Sequence, residues 1–176
     1  MRKSSQQIKY ITLGAMLSAL GVIIMAIGAF IEVLDLSTAV LASMLCIYAV
    51  IEIRGSYPWM IWLVTSILSL ILLPIKTPAV FYALFFGFYP ILKEKLEKLS
   101  RPVSWVLKLV VFHVSLGVIV LILRLFFPAA LDMGRILWMP LVLYLSCVAC
   151  FVLYDYALSH MITFYLVKLR HRFQIK

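Results

Sequence analysis

Leu13-Gly-Ala-Met-Leu-Ser-Ala-Leu-Gly-Val-Ile-Ile-Met-Ala-Ile-Gly-Ala29 is the stretch that decides the fold. It lacks the period-2 alternation of a barrel strand, and a bilayer otherwise admits only helices, because each backbone polar group must be satisfied within the spanning segment. At about 100° per residue, Ala15, Ser18, Ala19, Val22, Ala26 and Ala29 form one stripe of the helix, and Gly14, Gly21 and Gly28 form a second beside it. Small side chains let helix backbones approach closely in lipid, where dispersion contacts replace the missing hydrophobic drive. Two smooth stripes predict two packing partners.

The rest of the chain agrees with a lipid environment. Of its 176 residues 65% are hydrophobic and 13% charged, and the mean hydropathy is +1.12. A soluble domain carries about 25% charged residues, so this chain has too little polar surface for water. Three cysteines exclude a disulfide scaffold, and the composition excludes a disordered chain. It also excludes a nucleic-acid module despite the net charge of +9. A hydrocarbon core of about 30 Å needs about 20 helical residues. On that measure six spans are expected: Tyr10–Ile31, Leu36–Ile53, Tyr57–Leu73, Pro78–Leu92, Val103–Phe127 and Ile136–Lys168. The first exceeds the usual signal-peptide core of about 7–15 residues and is kept as a helix. The fourth is short, bounded by Pro78 and Pro90. The expected fold is an all-α integral membrane protein, a single domain of six transmembrane helices.

Cytoplasmic flanks carry the excess of Lys and Arg. With both termini in the cytoplasm, only Lys76, Arg124 and Arg135 of the sixteen basic residues fall on the outer side, together with Glu32, Asp35 and Asp132 at outer turns. The basic inner rim attracts anionic headgroups by about 1 kcal/mol per residue. The longest inner connection, residues 93–102, is expected to be a charged helical extension of the fourth span, stopped by Pro102.

Enzyme signatures are missing from the sequence: no His-Glu-x-x-His, no Gly-x-Ser-x-Gly and no phosphate-binding glycine loop. His113 and His160 lie at matching depth in their spans, which suits either hydrogen-bonded histidines within a bundle or the axial ligands of a haem. Cys147 and Cys150 share a face and read as small apolar packing residues. Asp155 is the one acid deep in a span; an ionised carboxylate there costs about 2.5–3.5 kcal/mol, so it needs a partner, with His113 and Arg124 nearest by depth. Arg124 also stands close enough to the outer end of its span to snorkel. Most of Trp59, Trp62, Trp105, Trp138, Tyr144 and Tyr165 read as interfacial anchors, and Tyr82, Phe126, Phe127, Trp138 and Tyr144 suit an outer cleft for a planar ligand.

The pair Ala15 and Ala19, following a short basic N-terminus in a six-span chain with both ends inside, resembles the substrate-binding S component of an energy-coupling factor (ECF) transporter. The resemblance implies a membrane subunit, not an enzyme, with no metal or cofactor. Such a subunit binds a vitamin-like micronutrient near the outer face and docks through the alanine motif on a transmembrane T subunit driven by two cytosolic ATPases. Ala15 and Ala19 would then be docking positions. Glu32, Asp35, Lys76, Tyr82, Arg124, Asp132, Arg135 and Trp138 are the outer-pocket candidates by position, and Asp155 is a further ligand or proton-coupling candidate. The loop that helps close the family's pocket is here only Glu32-Val-Leu-Asp35. Two alternatives from other classes are a six-helix scaffold similar to the MreD cell-shape family and a bis-histidine haem protein.

Overall fold

The structure, a computed structural model, describes residues 2–31, 34–53, 55–126, 138–165 and 167, with residues 2–5, 123, 126 and 139 described by their backbone. Among these residues the regular structure is all helical, with no strand. The helices are α1 (Arg2–Phe30), α2 (Asp35–Glu52), α3 (Tyr57–Leu72), α4 (Thr77–Phe81), α5 (Tyr89–Leu96), α6 (Arg101–Phe126) and α7 (Met139–Phe164), with a π-helical turn, Tyr82–Phe86, between α4 and α5. Four segments are long and apolar enough to cross a membrane: Gln6–Phe30, Asp35–Glu52, Arg101–Ile122 and Pro140–Phe164. These four point to a multi-pass membrane protein.

Two of the expected spans take other forms. The third is α3, whose 16 residues extend about 24 Å at 1.5 Å per residue. The fourth is not one helix but α4, the π turn and α5 in succession. Pro78 lies in the first turn of α4, where a missing N–H is harmless, but Pro90 cannot bond to a carbonyl four residues back and so forces a new helix start at Tyr89. Between them the Gly87 N–H reaches the Tyr82 carbonyl at 2.7 Å, five residues back. The charged extension expected to run to Pro102 ends earlier, at Leu96, and the chain turns through residues 97–99 before α6.

The chain forms two compact units, Met1–Ile119 and Val120–Lys176. In the first, α1 packs on α2 and α3 through Gly14, Ser18, Gly21, Met25 and Gly28, all buried. This four-three spacing makes a straight seam down one helix face. A Cβ placed on Gly14 would lie 3.3 Å from Ile61 Cγ1, one on Gly21 3.2 Å from Thr65 Cγ2, and one on Gly28 2.8 Å from Thr38 Cβ. Each glycine is thus the hollow into which a neighbouring side chain fits. Below this seam, Ala49, Ile53 and Ile61 pack with Tyr10, Leu13, Leu17 and Tyr57. The α2–α3 turn uses Gly55 at φ +70°, a left-handed conformation that suits a residue without Cβ.

A second cluster joins Cys46 and Val50 of α2 to Ile91 of α5, flanked by Trp59 and Trp62. Two α3 hydroxyls are satisfied locally, Ser66 donating to the Trp62 carbonyl at 2.7 Å and Ser69 to the Ser66 carbonyl at 3.0 Å, whereas Thr65 Oγ1 is buried with no hydrogen-bond partner. Such bonds let serine sit in an apolar helix without a partner elsewhere. In the second unit, α7 buries Phe151, Tyr154, Asp155 and Leu158 on one face at helical spacing.

The two stripes expected on α1 do not remain separate. Ser18, Val22 and Ala29, expected on the alanine stripe, are buried with the glycines, whereas Ala15 and Ala19 are exposed and Ala26 is intermediate. Ser18 and Met25 lie almost in line with the glycines. Ala15 and Ala19 stand roughly a quarter to two-fifths of a turn away, on the exposed side of the helix.

Candidate functional site

Three of the sequence-selected binding residues, Glu32, Asp132 and Arg135, lie outside the described residues. Asp35, Lys76 and Tyr82 belong to the first unit, and Arg124, Trp138 and Asp155 to the second.

Asp35 opens α2, where its carboxylate meets the positive end of the helix dipole. Thr38 Oγ1 in the same turn donates to the carbonyls of Leu34 and Asp35, each at 3.1 Å. Lys76 is exposed but folds back on the helix it follows: its Nζ donates to the Leu73 carbonyl at 2.5 Å and approaches the Ile71 carbonyl at 3.4 Å. An ammonium at a helix C-terminus satisfies orphan carbonyls and opposes the negative dipole end, so its position has a local explanation. Tyr82 begins the π turn with 1% of its surface exposed, its ring lying against Gly87. It is a packing element of the broken segment.

Arg124 is exposed in the last turn of α6, favourable for a cation at a helix C-terminus. Trp138, just before α7, is 69% exposed. Asp155 is 3% exposed, and its backbone carbonyl accepts a bond from Ser159 Oγ at 3.1 Å. His113 is exposed, with Nδ1 2.7 Å from the Leu109 carbonyl, and His160 is exposed and stacked on Tyr156 with centroids 6.5 Å apart. Among the described residues no three His, Cys, Asp or Glu side chains gather as a metal site requires.

The docking pair is placed differently. Ala15 and Ala19 lie one turn apart on the exposed side of α1, bordered by Met16, Leu20 and Ile23, which are exposed as well. The glycine seam is already filled by α2 and α3, so the two rows of small residues differ in what they have left to bind.

Two features escape a reading of the sequence. The first is an ionic node. Lys93 of α5 has no exposed surface, and Lys108 of α6 is nearly as buried. Both reach Glu97, at 3.3 and 3.2 Å. By sequence these residues are members of a solvated basic rim. Only the i, i+4 spacing of Lys93 and Glu97 hints at a pair, and nothing announces that Lys108 joins them.

The second feature is the stabilisation of the π turn. Trp62 donates its indole N–H to the Ala83 carbonyl at 3.2 Å and stands edge-on to Trp59 and Phe88, with centroids 5.7 and 6.0 Å apart. Phe85 packs against Phe86, Tyr89 and Phe112. Expected as interfacial anchors, Trp59 and Trp62 are half-buried packing residues, whereas Trp105 is largely exposed.

No family model, curated protein or solved structure matches the chain.

Proposed function

We propose that the chain is the substrate-binding subunit of an ECF-type micronutrient transporter: a six-span membrane protein with both ends in the cytoplasm, docking on a T subunit driven by cytosolic ATPases. The observation that carries this reading is the exposed Ala15–Ala19 pair on a helix whose glycine seam is already occupied. A flat two-alanine strip bordered by larger apolar side chains lets a foreign helix approach closely, as small-residue contacts in lipid require. In this reading α3 and the broken α4–α5 segment complete the six spans, and the energy enters through other chains. In the first unit, Asp35 and Lys76 are the described polar residues offered to a small polar ligand.

A thermal-unfolding screen of the purified protein against a panel of vitamins tests the ligand half of this reading. A ligand that binds the folded form alone, at a hundred times its dissociation constant, adds about 2.7 kcal/mol and raises the midpoint. A panel in which nothing shifts unfolding, with no small molecule co-purifying, removes the transporter reading and favours the scaffold.

A further inference from the structure

We propose that the corner joining α5 to α6 binds the phosphate headgroups of anionic phospholipids. The ionic node sets the charge of this corner. Glu97 is engaged by both Lys93 and Lys108, so its single negative charge is more than balanced by two ammonium groups. The corner as a whole stays basic, with Lys93, Lys95, Lys98, Arg101 and Lys108 against Glu94 and Glu97. Arg101 is exposed at the start of α6, and Lys98 is exposed and paired with Glu94 at 3.1 Å. An exposed i, i+4 pair of this kind contributes about 0–1 kcal/mol, so Lys98 is readily shared with a second anion. The planar guanidinium of Arg101 matches a phosphate bidentately.

The depth also fits. Four residues after Arg101, Trp105 is 46% exposed, and four residues further along the same ridge Leu109 is 37% exposed. Four helical residues rise about 6 Å, the depth of one headgroup layer, so Arg101 reaches the phosphates when Trp105 lies at the edge of the hydrocarbon. Cations at phosphate depth, an aromatic ring at the interface and a branched aliphatic side chain in the acyl region follow each other along one ridge of α6. A soluble anion has no use for the last two, which is why a lipid is the occupant. The site is independent of the transporter reading, since neither docking nor vitamin binding enters the argument.

Native mass spectrometry of the full chain, released from micelles containing dioleoyl phosphatidylglycerol and dioleoyl phosphatidylcholine in equal amounts, counts the retained lipids. The expected result is preferential retention of phosphatidylglycerol, reduced in K98Q/R101Q by roughly fivefold per charge removed. R101K, which keeps the charge, should retain most of the preference, and K9Q, at an exposed basic position away from this corner, should lose no more than about the fivefold of one rim charge, well short of the double variant. Equal retention of both lipids by the wild type overturns the site, as does an undiminished preference in K98Q/R101Q or an equal loss in K9Q. Displacement of the lipid by millimolar inorganic phosphate would make the ligand a soluble anion and overturn the proposal as stated.

Discussion

Helix α1 and the segment from Thr77 to Leu96 both run through the first unit, and they pack by opposite means. Along α1 the contacts come from what is missing: Gly14, Gly21 and Gly28 leave hollows for Ile61, Thr65 and Thr38. The Thr77–Leu96 segment uses bulk and polar bonds instead: Phe85, Phe86 and Tyr89 fill the space, Trp62 caps a carbonyl of the π turn, and Lys93 is pinned to Glu97. A straight helix satisfies its own backbone, so its sequence need only specify a smooth face. A helix interrupted by a π turn and a proline frees backbone groups in an apolar setting, and side chains from other elements must satisfy them. The first arrangement fails when atoms are added; the second fails when they are removed.

Gly28→Ala should therefore be the most damaging change. The new Cβ would overlap the Oγ1 of Thr38, a side chain that cannot swing aside while it bonds the carbonyls of Leu34 and Asp35. Overpacking of this kind costs about 3 kcal/mol, measured as loss of unfolding free energy in detergent. Adding Thr38→Ala should recover part of the loss, because the two sites share one contact and their effects are not additive. Full recovery is not expected, since the new methyl would still crowd the Cβ of residue 38. A Gly28→Ala protein as stable as the parent would mean that α1 and α2 do not meet at this seam.

Trp62→Phe tests the other means of packing. Phenylalanine keeps an aromatic ring near Trp59 and Phe88 but cannot donate to Ala83. An unsatisfied buried carbonyl costs about 1–3 kcal/mol, so a loss near 2 is expected, smaller than at Gly28 because the volume change is modest. Glu97→Gln comes next. Removing the carboxylate shared by Lys93 and Lys108 leaves two buried ammonium groups with a weaker acceptor, but Glu97 itself is 41% exposed, so water screens the pair and about 1 kcal/mol is expected. Addition of salt should lower the parent towards the variant if screening governs the node.

These contrasts explain how much was readable beforehand. Helical class, four long apolar helices and the smoothness of α1 follow from local composition and period, which the chain carries in plain order. The broken fourth span was half legible: Pro78 and Pro90 marked its limits, but a π turn is chosen by the packing of Trp62, Tyr82 and Gly87, which lie apart in sequence. Likewise, the sequence does not show Lys108 as buried, because its partner is eleven residues away in the turn that follows α5. The binding residues were the least legible, since they were chosen by expected depth alone. Depth does not say that Lys76 turns back to cap α3 or that Tyr82 is enclosed.

The smallest effect on stability is also the one that most sharply divides the two rows of α1. Ala15→Leu with Ala19→Leu adds six methyl-sized groups to a helix face that nothing in the first unit covers, so the unfolding free energy should change by no more than about 0.5 kcal/mol. Yet a close helix contact in lipid depends on backbone approach, and leucine holds a partner helix away. Stability should thus survive, and under the proposed transporter function association with a T subunit should be lost while vitamin affinity is kept. A large loss of stability would place those alanines against the chain's own helices, and unchanged association would leave the exposed strip as ordinary lipid-facing surface. Gly28 and Ala15 lie on the same helix and both appear as small residues in an apolar run, so only their neighbours distinguish a filled seam from an open one.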